Sequence, residues 1–283
     1  MGIGGRNVSK RPWPNGAKCA INLTFDFDAE SSWIGSWGMN TPNPLSRGEY
    51  GARVGIPRLL KLLDNYNLKG TFFVPGYTAE KYPELTREIH TRGHEIGHHG
   101  YLHESPEKLT LDEEKEILEK GMAILVDITG EKPLGYRSPG ADFSPNTPKL
   151  LHDLGFVYDS TLMADEKPYW LRIGKLEHGL LEIPISHELA DSSHFLFNFP
   201  PTYLAGMSSP SKVFEIWADE FKGYYASGGC YVLICHPQIS GRYHRLKLLE
   251  KLIQYLQGHK GVWFTRCIDT AKYWMEMEGN IIG

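Results

Sequence analysis

Residues 19–28, Cys-Ala-Ile-Asn-Leu-Thr-Phe-Asp-Phe-Asp, decide the fold. Side chains alternate faces along a strand, so Ile21, Leu23, Phe25 and Phe27 share one side and Asn22, Thr24, Asp26 and Asp28 the other. The polar side therefore closes on two carboxylates that point the same way and repel. A cation relieves one of them, and the other is then free to act as a base. The same Asp-x-Asp also serves as ordinary turn chemistry at a strand end, and the pattern alone leaves both readings open.

Outward from this segment, short apolar runs alternate with longer amphipathic ones. Strands are expected at residues 70–74, 94–99, 134–137, 157–159, 180–185, 230–236 and 262–264. Helices are expected at 55–66, with Pro57 tolerated in the first turn, and at 83–92, ended by Gly93. A long helix at 110–129 opens on a capping box, Thr110 with Glu113, and closes at Gly130. Further helices are expected near 145–154, 211–226, 242–257 and 269–277. Repeated strand–helix units predict an α/β fold with a parallel sheet and right-handed crossovers, as a barrel or an open sheet. No linker divides the 283 residues, so one domain is expected over 1–283, with 1–17 as an extension. Residues 30–53 and 187–210 read as long loops over a functional face.

Composition narrows the function classes. A hydrophobic fraction of 41% with 12% aromatics is that of a soluble globular protein. Net charge is −4 and no Lys/Arg run stands out, which argues against nucleic acid or an anionic membrane as partner. Arg6, Lys10 and Arg11 have no apolar stretch behind them, so neither a secretory signal nor a membrane span is expected. Cys19, Cys230, Cys235 and Cys267 form no CxxC pair, which predicts reduced thiols and a cytoplasmic protein.

Three further segments carry chemistry. Residues 93–104, GHEIGHHGYLHE, hold four of the twelve histidines within ten positions. Two His four apart can chelate one metal, but His90/His94, His94/His98 and His99/His103 all satisfy that spacing. His99 and His103 lie beyond the expected strand, where parallel-sheet proteins build their sites. Arg137, in Tyr136-Arg137-Ser138-Pro139-Gly140, presents a donor fork suited to a carboxylate at a strand end. His236 shares a strand face with Val232 and Ile234 before Pro237 stops the strand. A buried structural histidine and a general acid or base fit that position equally well.

Taken together and in this order, the four segments resemble the polysaccharide deacetylase family (carbohydrate esterase family 4). Its paired Asp match Asp26 and Asp28, its metal histidines match His99 and His103, its R-x-P motif matches Arg137-Ser138-Pro139, and its L-x-H motif matches His236, with Ile234 at the first position. The resemblance runs from about Cys19 to Tyr273. The stretches SRGEY (46–50), VGIPRLL (54–60) and CHPQISGR (235–242) are similar to the branch holding peptidoglycan deacetylase-like proteins, cyclic imide hydrolases and allantoinase-like enzymes. Two positions depart: Gly100 stands where secreted deacetylases carry Ser or Thr, and Ala141 replaces the Gly of R-x-P-x-G. Allantoinase-like members lack the second metal histidine; His103 is present here.

The resemblance implies a distorted (β/α) barrel of about seven parallel strands and one divalent metal ion on Asp28, His99 and His103. Zn²⁺ leads for these ligands, with Co²⁺, Ni²⁺, Mn²⁺ or Fe²⁺ compatible. It further implies hydrolysis of a non-peptide C–N bond, with Asp26 as base, Arg137 holding Asp26 ionised, and His236 protonating the leaving nitrogen. Tyr101, Trp33, Pro139 and Phe199 are expected against the substrate, and a backbone N–H near Gly100 or Tyr101 against the oxyanion. The expected substrate is an N-acetylated amino sugar of peptidoglycan type. A small cyclic imide or ureide is the alternative, and a non-catalytic carbohydrate-binding domain the second alternative. The apolar run 195–201, FLFNFPP, predicts a covering subunit; the resemblance implies a homo-oligomer, and a tetramer is expected.

Overall fold

The computed structural model describes residues 13–196 and 207–279, together with the backbone of a short hairpin between them. Strand β1 (Cys19–Asp26) leads into a helical strap: a wide turn, Ser32–Ser36, then α1 (Pro42–Tyr50), a second wide turn, Gly51–Gly55, and α2 (Ile56–Asn65). Next come β2 (Thr71–Val74), α3 (Gly76–Lys81), α4 (Pro83–Thr91), β3 (Glu95–His98), α5 (Leu111–Thr129), β4 (Gly135–Tyr136), α6 (Thr147–Asp153) and β5 (Tyr158–Asp159). The chain continues through β6 (Tyr169–Ile173), β7 (Leu176–Glu182), α7 (Asp191–Phe195) and the hairpin β8 (Asn198–Phe199) and β9 (Thr202–Tyr203). It ends with α8 (Pro210–Ser227), β10 (Cys230–Cys235), α9 (Pro237–Ser240), α10 (Tyr243–Gln257), β11 (Val262–Thr265) and α11 (Cys267–Met277).

The main sheet runs β10-β1-β2-β3-β4-β5-β7-β6, and every pairing except β6 with β7 is parallel. β1 sits at its centre: Ala20–Phe25 pair with β10 on one side, while on the other the first half pairs with β11 and the second half with β2. An isolated parallel bridge from Ala190 to Ile234 brings the segment after β7 alongside β10, which curls the sheet into a distorted (β/α) barrel.

The alternation in β1 explains this placement. Ile21, Leu23, Phe25 and Phe27 pack outward against Leu59, Leu60 and Leu63 of α2 and Leu249, Leu252 and Ile253 of α10, all buried in one core. That is the burial that drives helices onto a parallel sheet. Asn22, Thr24 and Asp26 face the barrel interior, where each is buried and hydrogen-bonded. Helix α5 carries the expected capping box, Thr110 with Glu113, worth about 1 kcal/mol. It closes on Gly130 at φ +76°.

Two regions differ from the sequence expectation. Residues 30–53, expected as a loop, are largely helical and lie close over the strand ends. A Cβ on Gly48 would collide with the backbone of Ala29 and Glu30, and one on Gly55 with Pro237. These glycines, poor helix formers, are there for close approach, which local propensity cannot reveal. The other difference is β6, an antiparallel partner that starts β7 at Leu176 rather than near residue 180. Leu176 is half exposed and no apolar run marks the extension. In 187–210, Phe195 is buried, but the side chains of 197–206 lie outside the described residues, as do residues 1–12 of the expected N-terminal extension.

Candidate metal and acid–base centre

The strand ends gather the polar side chains of β1 with residues from four other segments. Asp28, just past β1, His99, just past β3, and His103, four residues on, are all buried and place one ligand atom each within 4.8 Å of the others. Asp28 Oδ1 lies 3.5 Å from His99 Nε2 and 3.8 Å from His103 Nε2. The remaining histidines of the cluster serve elsewhere: His98 is held by Leu118 O and by Gly100 N–H, and His94 accepts from Gly70 N–H. Only the His99/His103 pair meets a carboxylate at this site.

Both rings are oriented by their other nitrogen. His99 Nδ1 donates to Arg137 O at 2.7 Å, which leaves Nε2 as the lone-pair side toward Asp28. Ser36 in the strap donates its hydroxyl to His103 O at 2.9 Å, so its oxygen accepts from His103 Nδ1 at 2.6 Å. His103 sits at φ +60°, a conformation costly for a side-chain-bearing residue. Burial favours the neutral form of both rings: it lowers His99 to about 4 and His103 well below the usual histidine range. Neutral imidazole is the ligating form.

The same residues pass a test for a cation. Asp28 Oδ1 is buried and has no hydrogen-bond partner, while Oδ2 accepts from Gln238 Nε2 at 3.3 Å. Burial raises the Asp28 carboxyl to about 7. A divalent cation would reverse that shift and satisfy the orphaned oxygen. Two neutral imidazole nitrogens and one carboxylate oxygen make a facial donor set for Zn²⁺ or a similar ion.

Beside this trio lies an acid–base pair. Asp26 Oδ1 accepts from Arg137 Nη1 at 2.8 Å, and its Oδ2 lies 3.8 Å from His236 Nε2. Burial opposes ionisation of Asp26, but Arg137, and then the two nearby histidines, hold its pKa below the usual carboxylate range. Arg137 is buried and fully committed, also donating to Thr24 Oγ1 and to Ser160 O and Oγ, with its guanidinium over the Phe73 ring. His236 follows β10. Its Nδ1 donates to Asp191 Oδ1 at 2.6 Å, and Asp191 Oδ2 takes His236 N–H and the Ser240 hydroxyl. Against the effect of burial, Asp191 lifts His236 to about 10. Asp191, Ser36 and Gln238 were not singled out from the sequence.

A cavity of about 180 Å³ opens on these groups, walled also by Trp33, Trp37, Ser138, Gly140 and Ile185. Trp33, expected against the substrate, lines this cavity. At the Arg-x-Pro turn the wall is Ser138, Gly140 and Ala141 rather than Pro139. Tyr101 turns away: its hydroxyl donates to Glu80 and Lys120 lies over its ring, because the turn at Gly100 (φ +71°) points it toward α3 and α5. Its backbone N–H, with that of Leu102, is held by Glu104, so neither is aimed at an oxyanion. The Phe199 side chain lies outside the described residues. Ala141, at the position where the family pattern has Gly, sits at φ +58°, the left-handed conformation that glycine adopts without strain.

The chain matches the family model described as polysaccharide deacetylase over residues 47–158. It is 35% identical to the peptidoglycan deacetylase of Helicobacter pylori, over 85% of this chain and 91% of that protein. Among solved structures, a putative polysaccharide deacetylase from Mycobacterium smegmatis superposes with a TM-score of 0.90 at 40% identity, covering 95% of this chain and 94% of that one. An allantoinase superposes with a TM-score of 0.83 at 27% identity, covering 93% and 92%. No described helix is long and apolar enough to cross a membrane. With relatives spanning nearly its whole length, the chain belongs to the polysaccharide deacetylase family and is an enzyme of the deacetylase type, hydrolysing the C–N bond of an amide.

Proposed function

We propose that the chain is a metal-dependent deacetylase acting on an N-acetylated amino sugar of peptidoglycan type. The observation that carries this reading is the orphaned, buried Asp28 Oδ1 facing two oriented, neutral histidines. A divalent cation on Asp28, His99 and His103, with Zn²⁺ the first choice, would polarise the amide carbonyl and acidify water. Asp26 takes the proton of the attacking water, and Arg137 keeps that carboxylate ionised and aimed. His236, held by Asp191, hands a proton to the leaving nitrogen. Trp33 and Trp37 give the substrate an aromatic wall.

The allantoinase likeness favours a second reading, ring opening of a cyclic imide or ureide, because such a ring presents the same carbonyl bonded to nitrogen. Retention of Asp26 and His236 beside the metal trio opposes a purely carbohydrate-binding role. A homo-oligomer, a tetramer, belongs to the same proposal and is read by light scattering. Turnover by metal-loaded protein of N-acetylglucosamine oligomers, succinimide, hydantoin and allantoin separates the readings. Release of acetate from the oligomers supports the deacetylase, and ring opening without acetate release replaces it with the second reading.

A further inference from the structure

Against the reaction cavity lies a second one, of about 320 Å³, walled by Arg47, Arg242 and Arg245 and sharing Trp33, Leu196 and Gln238 with the first. Gln238 links the two directly, since its amide donates to Asp28 Oδ2. The arginines are set in place before any ligand arrives. Arg242 lies 3.5 Å over the Tyr50 ring, Arg245 4.9 Å over Phe195, and Arg47 5.1 Å over Trp33 while donating to Leu196 O.

Arg245 is 8% exposed, and its Nε is buried without an acceptor. Among the described residues its other nitrogens reach Ile239 O and the Met207 sulfur. Among the described residues neither Arg242 nor Arg245 forms an ion pair, and Asp191, the carboxylate whose charge acts on Arg245, is committed to His236 and Ser240. Burial and the neighbouring guanidinium of Arg242 both depress the basicity of Arg47 and Arg245. Like charges crowded at one wall, with the buried member keeping an unmet N–H, favour an anion there.

We propose that this second cavity is a carboxylate subsite: the amide substrate carries a carboxylate that Arg242 and Arg245 hold while its amide group lies in the cavity before Asp26 and Asp28. This rests on the amide-hydrolase reading of the neighbouring cavity. The planar guanidinium fork matches a carboxylate, and the apolar part of the wall, Trp33, Leu196 and Ile239, suits an organic acid better than a strongly hydrated phosphate.

The test compares N-acetylmuramic acid with its methyl ester, which share one scissile acetamide and differ in the charge. With the full-length, metal-loaded protein, the wild type prefers the acid in kcat/KM. Arg242→Gln and Arg245→Gln cut the acid-to-ester ratio about 10- to 100-fold, chiefly through KM. Arg242 is partly exposed, so its variant carries the test if melting shows that Arg245→Gln misfolds. Calorimetry of the acid, with chelator present so that it cannot bind a cation, gives a readout independent of turnover. Binding lost in Arg242→Gln without hydrolysis of either compound supports the subsite and overturns the amide reading. An unchanged acid-to-ester ratio with binding that ignores Arg242 overturns the subsite, and inorganic phosphate binding more tightly than the acid overturns its carboxylate assignment.

Discussion

Two buried carboxylate clusters occupy opposite ends of the same strands, and they are built differently. At the start of β3, both oxygens of Glu95 are satisfied: Oε1 accepts from the Tyr158 hydroxyl, and Oε2 from the Thr71 hydroxyl and Ile268 N–H. At the far ends, Asp28 keeps one buried oxygen without a partner, and Asp26 meets Arg137 on one side and only the distant His236 on the other. A carboxylate with both oxygens answered stitches strands to a helix. Glu30, Asp159 and Glu182 also keep one buried oxygen unpartnered, but Asp28 alone among the described carboxylates sets its free oxygen before two oriented imidazole nitrogens, the arrangement that suits a cation. The difference assigns architecture to one end and chemistry to the other.

Substitutions at either end of the strands test this division. Asp26→Asn removes the proton acceptor and leaves the fold, so kcat should fall about 10²–10⁴-fold with the metal retained, as read by steady-state kinetics beside metal analysis. Near wild-type kcat would strip Asp26 of the role of base. Asp191→Asn acts one step removed and should cost about 10- to 100-fold in kcat, by analogy with groups that orient metal ligands. Its signature is in the pH profile. Asp191 lifts His236 to about 10, so removing that charge lowers the histidine pKa. The protonated form that donates is then lost at lower pH, and the basic limb of kcat moves down. A limb that stays in place would make Asp191 merely structural.

Smaller changes sharpen the same contrast. Ser36→Ala frees His103 Nδ1 and should weaken metal affinity about 10- to 100-fold in a competition titration, with little effect on unfolding. Glu95→Ala should do the reverse. It strands three buried donors and should cost about 3 kcal/mol or more in denaturant unfolding, while kcat per folded molecule stays near wild type. A large kcat loss in a stable Glu95→Ala protein would erase the distinction between the two ends.

Much of this was legible in the sequence, for identifiable reasons. β1, β2 and β10 announce themselves because alternation or an apolar run is what strand burial requires, and Asp26, Asp28, Arg137 and His236 sit at their predicted strand ends. Spacing alone left three histidine pairs, and the fold separates them, sending His94 and His98 into backbone hydrogen bonds. The strap over residues 30–55 was unreadable because its prolines and glycines look like breakers until the close passes at Gly48 and Gly55 are seen. Asp191 and Ser36 act across 45 and 67 residues through single side chains, with no period or motif to mark them. Tyr101 misled for the opposite reason, since adjacency along the chain does not survive a left-handed turn.

Elemental analysis of active protein tests most directly whether Asp28, His99 and His103 hold a catalytic metal ion. Wild type should carry about one divalent ion per chain, His103→Ala should carry none, and chelation followed by re-addition should abolish and then restore turnover. Full activity in wild-type protein shown to be metal-free would contradict that assignment.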